Sequence, residues 1–331
     1  MDEARYRLRD FEDRDYPAEA RVATQGNPQR PSSPDALREW DAWLRKPPFV
    51  QVKQVVEDRS RGEAVGFGLL FTPPWTFDPR KFWVGAAVDQ VHAGRGIGSA
   101  IARAILAEAS RRQAVTLWAS ARADQEPWIR FMTRWGFHER RRTWQSRLEV
   151  AAAADFPDRT EQLARDGITV TTLAEEGPDR EEVRRRLYDL SLEVGGDVPR
   201  MGPYTPVTFP RFVEVEITRP EALPTAYFLA RRGERYIAVS NLARIAGDPT
   251  GLDQEFTAVR KELRGRGVAS ELKRRTVEYA REHGFRYIQT FNDSLNLPMW
   301  AINEKLGYRK EVAWVHSQRD MAMDTSPSVP G

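Results

Sequence analysis

The sequence has 331 residues, and its 40% of hydrophobic residues suffices for the cores of two ordinary domains. It contains no cysteine, which excludes disulfide bonds, thiolate metal sites and cysteine nucleophiles. The 51 basic and 48 acidic residues leave a net charge of +3, and no basic stripe with interleaved aromatic residues indicates nucleic-acid binding.

The N-terminal segment MDEARYRLRD lacks the apolar core of a secretory signal, and no apolar run approaches the roughly 18 residues of a membrane span. We therefore expect a cytoplasmic protein with neither membrane nor nucleic acid as a partner. The four histidines are scattered without metal-ligand spacing, and no metal is expected.

The first half of the chain alternates between strand-like and helix-like patterns. Ser33 is a candidate N-cap for a helix in which Leu37, Trp40 and Leu44 recur at helical spacing. In chain order, the patterns predict a strand at 6–8, a helix at 34–45, strands at 50–56, 63–72 and 82–88, a helix from Ile97, a strand at 114–119, a helix at 127–135 and a closing strand at 137–150.

The second half repeats this alternation after a linker that we expect to be helical. The predicted elements are a strand at 168–173, a helix at 180–194, an irregular loop at 195–210, strands at 226–231 and 236–245, a strand ending at Val259, a helix from Val268 and a strand at 312–317. The tail 321–331 is expected to be disordered.

A glycine-bearing turn separates the strand ending at Val259 from the helix beginning at Val268. Such a turn places unpaired N–H groups at a helix N-terminus, where the peptide dipoles add partial positive charge. Glycine lets a ligand approach this backbone closely. The stretch therefore predicts an anion site suited to phosphate.

A second copy of this stretch lies 171 residues earlier. Val88, Gly96 and Gly136 correspond to Val259, Gly267 and Gly307, and all three pairs share that offset without a gap. A period of about one domain length indicates two tandem copies of one fold. The predicted domains are residues 1–152 and 168–320, joined by a linker at 153–167 and followed by the tail.

The turn, the preceding strand and the trailing Asn303-Glu304-Lys305-Leu306-Gly307-Tyr308 resemble the GNAT superfamily of acyl-CoA N-acyltransferases. The resemblance implies an α/β (α+β) chain of two tandem GNAT-like domains. Each would have a mostly antiparallel mixed sheet flanked by helices, with central strands that splay apart. The tandem arrangement is similar to that of the mycothiol synthases.

In that superfamily the pantetheine arm of acetyl-CoA lies between the splayed strands and the diphosphate lies on the glycine turn. Carried over to this chain, the resemblance implies acetyl-CoA as cosubstrate. The implied contacts in the second copy are Val259, Arg264, Gly265, Arg266, Gly267, Val268, Ala269, Asn296 and Asn303. Those in the first copy are Val88, Gly94, Arg95, Gly96, Ile97, Gly98 and Ser99.

The implied reaction is direct acetyl transfer to a primary amine, which must first lose a proton. Relatives often carry a glutamate base on the fourth strand, and Glu255 is the candidate here, although it would equally suit a solvent-facing strand position. Asn292 is a further catalytic candidate, and one of the asparagines at 292 and 296 or Asp293 is expected to serve as an N-cap.

Many relatives place a tyrosine four residues before the Gly-aromatic pair, as the acid for the CoA thiolate. Here that position is Asn303, which leaves water or an unidentified tyrosine such as Tyr308. The first copy departs further, with Ala93 in place of Arg264 and Val84 in place of Glu255. We therefore expect the C-terminal copy to be active and the first copy to be degenerate.

Two readings remain open: an N-acetyltransferase acting on a small amine or aminoacyl metabolite, and a non-catalytic acyl-CoA-binding or sensing protein. A peptide acceptor would contact the loop 195–210, where Asp197 and Tyr204 are candidate contacts. The chain is expected to be a monomer, as a pseudo-dimer of its domains, or a homodimer.

Overall fold

The structure, a computed structural model, describes residues 1–28 and 31–321. All of the predicted tail except Met321 therefore lies outside the described residues. The chain divides into two compact units. Unit 1 comprises Met1–Arg140 and Val315–Gly331, and unit 2 comprises Arg141–Trp314.

Unit 1 is a mixed α/β structure with one sheet and four helices in its described part. Its strands are β1 (Tyr6–Asp10), β2 (Gln51–Asp58), β3 (Glu63–Phe71), β4 (Lys81–Val88) and β5 (Thr116–Arg122). Its helices are α1 (Tyr16–Gly26), α2 (Pro34–Leu44), α3 (Ile97–Arg111) and α4 (Glu126–Arg134). The strands follow one another in chain order and are antiparallel except for the parallel pair β4–β5.

Two strands run from one unit into the other. β6 (His138–Glu149) begins in unit 1 and continues in unit 2, and β12 (Arg309–Asp320) begins in unit 2 and ends in unit 1.

Unit 2 repeats the architecture of unit 1 with more helical turns. Its remaining strands are β7 (Ile168–Thr172), β8 (Ala222–Arg232), β9 (Arg235–Ile245), β10 (Asp248–Val259) and β11 (Tyr287–Asp293). Its helices are α5 (Thr160–Arg165), α6 (Leu173–Glu176), α7 (Glu181–Gly195), α8 (Phe209–Phe212), α9 (Val268–Glu282) and α10 (Leu297–Leu306). The sheet order is β6-β11-β10-β9-β8-β7, and the parallel pair is β10–β11.

The closing strand of each sequence copy contributes to the unit built mainly by the other copy. β6 pairs with β11 from Thr143↔Asp293 to Glu149↔Tyr287. In unit 1, Nε1 of Trp118 on β5 donates to Oε1 of Gln318 on β12 at 3.1 Å. The compact units are therefore divided at residues 141 and 315, whereas the domain boundaries at 152 and 168 follow the repeat and stay a prediction.

The mixed, mostly antiparallel α/β fold predicted for each copy is confirmed. Local differences occur where apolar periodicity is weak. Helix α1 was not predicted, and the segment expected to be an irregular loop leads into α8 and a short π-helix, Val213–Ile217. Helix α5 lies within the predicted helical linker, and its Leu163 is buried in the core of unit 2.

The two central strands of each unit diverge, as expected. In unit 2, β10 and β11 pair from Gly251↔Tyr287 to Gln254↔Thr290, and both strands continue beyond that register. In unit 1, β4 and β5 pair over only three residues, Lys81–Trp83. This divergence opens a gap in the sheet on the side where α9 begins.

Helix α9 lies at the edge of this gap in unit 2. It begins after Gly267, and its apolar face, with Val268, Leu272 and Val277, is buried in the core. Burying such a side chain fully contributes about 1.5–3 kcal/mol, so this stripe fixes the helix against the sheet. Gly284, with a φ of +73°, ends the helix in the left-handed conformation common at helix C-termini. No helix in the described part of the chain has both the length and the apolar character needed to cross a membrane.

Candidate active site

The turn before α9 depends on two glycines. Gly265 and Gly267 have φ angles of +77° and +81°, a left-handed region that residues with a Cβ adopt at a cost. The turn follows a short 3₁₀ helix, Lys261–Leu263, and delivers the chain to Val268, the first residue of α9. Unpaired N–H groups at this helix end suit an anionic group of phosphate type.

A cavity of about 720 Å³ fills the gap between β10 and β11 and extends to the glycine turn. Its volume falls within the roughly 300–1,000 Å³ typical of small-molecule sites. One wall is formed by residues 254–259 of β10 and the opposite wall by residues 290–293 of β11. The predicted residues that line this cavity are Glu255, Val259, Arg264, Gly265, Arg266, Gly267, Val268, Ala269, Asn292 and Asn296.

Glu255 projects from a β-bulge in β10. The register with β9 shifts between Gln254 and Phe256, which makes Glu255 the additional residue. Nε2 of Gln254 stabilises the irregular backbone by donating to the carbonyl oxygens of Asn241 at 2.8 Å and Phe256 at 3.3 Å. Bulges redirect side chains and are common beside active sites. Here the bulge places a carboxylate on the cavity wall at the point where the strands separate.

The carboxylate of Glu255 is held at one oxygen. Oε2 accepts hydrogen bonds from Nδ2 of Asn241 at 3.0 Å and from the guanidinium of Arg219. Among the described residues, Oε1 has no hydrogen-bond donor. The side chain is therefore oriented through Oε2, while Oε1 remains available to accept a proton.

A second carboxyl group, Glu216, lies near Glu255 in the π-helix Val213–Ile217. Burial and the negative charge of Glu255 raise the pKa of Glu216 to about 7, against the opposing effect of Arg219. Burial and the same carboxylates raise the pKa of Tyr227 as well. The charge on Glu216, and with it the field at Glu255, therefore changes near neutral pH.

A buried row of polar side chains leads from α9 to the cavity wall. Nζ of Lys273 donates to Oδ1 of Asn303 at 2.6 Å, and Nδ2 of Asn303 donates to Oδ1 of Asn292 at 2.7 Å. Lys273 is only 1% exposed, and burial lowers its pKa to about 7. Lys273 and Asn292 line the cavity, whereas the fully buried Asn303 connects them from behind.

Asn296 performs the capping role that was expected of one residue in this segment. Its Oδ1 accepts a hydrogen bond from the backbone N–H of Met299 at 3.4 Å at the start of α10. Asn296 also lines the cavity, and its contact with the cofactor stays a prediction.

Arg264 connects the glycine turn to its surroundings. Its Nε donates to the carbonyl oxygen of Val259 at 2.9 Å, and its guanidinium pairs with Asp197. Asp197 lines the cavity, but Tyr204 is absent from the lining found in the described residues. Arg264 therefore fixes the end of β10 against the turn.

Tyr308 lies in the apolar core of unit 2. It is 5% exposed, and its hydroxyl has no hydrogen-bond partner among the described residues. Burial raises its pKa far above the ordinary value of a tyrosine. The ring covers Nζ of Lys273 at 4.9 Å, and Tyr308 is absent from the cavity lining in the described part of the chain.

The first-copy counterparts form a different environment in unit 1. Gly94 and Gly96 have φ angles of +76° and +78°, similar to those of Gly265 and Gly267. The backbone nitrogen of Met1, however, lies 2.7 Å from the position that a Cβ of Gly96 would occupy. The side chain of Met1 packs against the core of unit 1, and Arg95 donates to the hydroxyl of Tyr6. Val88, Ile97, Gly98 and Ser99 keep their predicted places at the end of β4 and the start of α3.

Three residues of unit 2 at or beside the cavity were missed in the sequence: Arg159, Glu216 and Lys273. Periodicity gave a signal for Lys273, which falls on the buried stripe of α9 with Thr276 and Ala280. Arg159 and Glu216 reach this region from distant segments, and no local pattern marks them. No group of three or more metal-ligating side chains occurs in the described part of the chain.

The model of the acetyltransferase (GNAT) family matches residues 6–137 and 200–308. A GCN5-related N-acetyltransferase from Sphaerobacter thermophilus is 20% identical, with a TM-score of 0.71 and 95% of each chain covered. A tandem GNAT protein from the clavulanic acid biosynthesis pathway is 18% identical, with a TM-score of 0.70 over 95% of this chain and 98% of that chain. A putative acetyltransferase from Pyrococcus horikoshii is 12% identical, with a TM-score of 0.57 over 96% of this chain and 90% of that chain. These likenesses show a shared tandem fold.

Proposed function

Since the chain belongs to the acetyltransferase (GNAT) family and is an acyltransferase, we propose that unit 2 transfers an acetyl group from acetyl-CoA directly to a primary amine. The acceptor is a small molecule or an aminoacyl metabolite. One observation carries the proposal: the gap between β10 and β11 ends at a turn of two positive-φ glycines and has Glu255 on its wall.

The groups that line the cavity support acetyl-CoA as the donor. The turn Arg264–Ala269 offers backbone N–H groups to the diphosphate. The edge of β10 beyond its pairing with β11, residues 255–259, offers backbone groups to the pantetheine amides. Asn292 and Asn296 add side-chain amides on the opposite wall. When bound, acetyl-CoA supplies the acetyl group as a thioester.

Glu255 acts as the general base. An alkylamine with a pKa near 10.4 is almost fully protonated at neutral pH, so it must lose a proton before it can attack a carbonyl. Oε1 of Glu255 takes this proton directly or through a water molecule, while Arg219 and Asn241 hold Oε2. A positioned base of this kind contributes roughly 10²–10⁴-fold to the rate.

Unit 1 keeps the fold without turnover. Val84, buried at 7% exposure, stands where unit 2 has Glu255, so no base is present at that position. Met1 packs over Gly96 and crowds the turn that would receive the diphosphate. The chain acts in the cytoplasm as a monomer or a homodimer.

The test is release of free CoA thiol from acetyl-CoA in the presence of a panel of amines. Glu255→Gln should lower kcat by roughly 10²–10⁴-fold with little change in acetyl-CoA affinity. Gly267→Glu should abolish acetyl-CoA binding, because it adds a charged side chain to the turn. Glu304→Gln, at an exposed position on α10, is the matched control.

The competing candidate is a non-catalytic acyl-CoA-binding or sensing protein, which the tyrosine missing from position 303 favours. Both hypotheses predict that the chain binds acetyl-CoA and that Gly267→Glu abolishes this binding. If no amine accelerates thiol release and Glu255→Gln changes nothing, this alternative replaces the enzyme.

A further inference from the structure

The reaction proposed above leaves a sulfur atom that must be protonated, and position 303 cannot supply the proton. An asparagine amide has no acidic proton at physiological pH. Its oxygen, however, accepts a 2.6 Å hydrogen bond from Nζ of Lys273. A titratable amine is therefore present directly beside the position at which the sequence lacks an acid.

The surroundings of Lys273 leave part of its donor capacity unused. A lysine ammonium has three N–H donors, and among the described residues its one hydrogen bond goes to Asn303. The ring of Tyr308 covers another side at 4.9 Å. Lys273 lines the cavity while only 1% of it is exposed, so the remaining donors lie at or just beneath the cavity wall.

The elements packed around this part of α9 present almost no charge to the amine. In the described part of the chain, α10 contributes the neutral Asn303, which is bonded in turn to the neutral Asn292 of β11. The neutral Gln254 of β10 bonds Thr276, one turn further along α9. The titratable neighbour is Tyr308 at the end of the α10–β12 connection. Burial alone lowers the pKa of Lys273 to about 7. An acid works best with a pKa close to the operating pH, and this amine satisfies that condition.

We propose that Lys273 is the general acid of the acetyl-transfer reaction proposed for unit 2. The acceptor nitrogen forms its bond to the carbonyl carbon while the C–S bond breaks and the sulfur leaves with the electron pair. Nζ of Lys273 gives one proton to that sulfur, and the acceptor nitrogen gives one proton to Glu255. Glu255 releases to solvent both this proton and the one that it took from the ammonium before attack, and Lys273 regains one proton from solvent. An ammonium and acetyl-CoA therefore give an amide, free CoA thiol and one released proton.

Asn303 and Asn292 are positioning residues in this scheme. Asn303 holds Nζ by its Oδ1 and is itself oriented by its bond to Asn292, at 2.7 Å. This row keeps the flexible side chain of Lys273 in one place. The inference rests on the proposed function, because without acetyl transfer there is no thiolate to protonate.

The experiment compares Lys273→Met with Lys305→Met in the full chain. Methionine keeps an unbranched apolar stem of four atoms, with a sulfur in place of Cδ, and lacks the amine. Lys305 is an exposed lysine on α10, so its replacement controls for the loss of one positive charge. Two readouts are measured: kcat against pH with a saturating amine acceptor, and unfolding by denaturant against pH without acetyl-CoA.

In the kinetic readout, wild type and Lys305→Met should lose kcat as pH rises above about 7, because the acid deprotonates. Lys273→Met should be roughly 10²–10⁴-fold slower and should lack this decline. A variant that is slower at every pH but keeps the decline shows a merely structural role. That result, or wild-type turnover by Lys273→Met, would overturn the assignment.

In the unfolding readout, the unfolded wild type binds more protons than the folded wild type between pH 7 and 10.5, because the pKa of Lys273 is lowered on folding. As the pH rises through this range, the wild-type equilibrium constant for unfolding should therefore fall relative to that of Lys273→Met by up to about tenfold per pH unit. If the ratio of the two unfolding constants does not change with pH, Lys273 has the same pKa in the folded and unfolded states, and the assignment is overturned. Absence of thiol release by wild type with any amine would instead overturn the proposed function, and the assignment with it.

Discussion

The backbone N–H of Arg159 donates a 3.0 Å hydrogen bond to Oε2 of Glu271, a carboxylate with no exposed surface. This bond ties the segment before α5 to the first turn of α9. It also places the side chain of Arg159 over the glycine turn, with Cδ 2.8 Å from the position that a Cβ of Gly267 would occupy. A basic side chain therefore lies beside the N–H groups proposed to bind the diphosphate.

We expect Arg159→Gln to weaken acetyl-CoA binding. A guanidinium forms charge-assisted hydrogen bonds to phosphate, worth about 1.5–3 kcal/mol each, so the Kd should rise by roughly one to two orders of magnitude. Calorimetric titration at low and high salt measures this change, and the loss should shrink as salt screens the charge. Arg165→Gln, an exposed arginine of α5, should leave the affinity unchanged. Equal effects of the two variants would contradict a contact by Arg159.

Gly267→Ala should weaken acetyl-CoA binding, whereas Gly284→Ala should not. Both glycines have positive φ angles, so each alanine should cost roughly 1–2 kcal/mol of stability. At Gly267 the new Cβ also meets Arg159, whereas among the described residues only the chain neighbours of Gly284 come within 4 Å of a Cβ at that position. Denaturant unfolding and titration with acetyl-CoA separate the two effects. A comparable loss of affinity in both variants would mean that the turn does not bind the donor.

Titration of the wild-type chain should give one acetyl-CoA per chain. Met1 covers the turn at Gly96 in unit 1, and its backbone nitrogen cannot move aside as easily as the side chain of Arg159 in unit 2. Gly267→Glu should reduce the stoichiometry to zero. A stoichiometry of two in wild type, or of one in the variant, would show that unit 1 binds the donor as well.

Glu216→Gln should be stabilising at neutral and alkaline pH. The pKa of Glu216 is raised from 4.5 to about 7 in the folded chain, so the folded state binds more protons than the unfolded state between these values. The wild-type free energy of unfolding should therefore fall relative to that of the variant, by at most about 1.4 kcal/mol per pH unit, as pH rises from 4.5 to 7. Denaturant unfolding across this range measures the difference. Parallel curves for the two proteins would show that Glu216 is not perturbed.

Tyr308→Phe should stabilise unit 2 and leave kcat unchanged. The hydroxyl has no partner among the described residues, and a buried unsatisfied group costs roughly 1–3 kcal/mol. Tyr287→Phe is the matched comparison, because that hydroxyl donates to Asp248 at 2.6 Å and its loss should be destabilising. Thiol release and unfolding are measured for both. A large fall in kcat for Tyr308→Phe would restore this tyrosine as the acid.

Local sequence was sufficient for the turn, the repeat and the fold class. Positive-φ glycines before an apolar helical stripe have few structural alternatives, and an offset of 171 residues between two such turns indicates duplication. Glu255 was a candidate because the resemblance to the GNAT superfamily implies a glutamate base on the strand before the turn, and its place on that strand is a local property.

Contacts between distant segments required the folded chain. The final strand of each copy contributes to the unit built by the other, and no local pattern distinguishes this pairing from pairing within the copy. The bulge that presents Glu255, the burial of Tyr308 and the bond between Lys273 and Asn303 likewise arise from packing. Burial is set by neighbours far apart in sequence, so the pKa of Lys273 could be inferred only after those neighbours were placed.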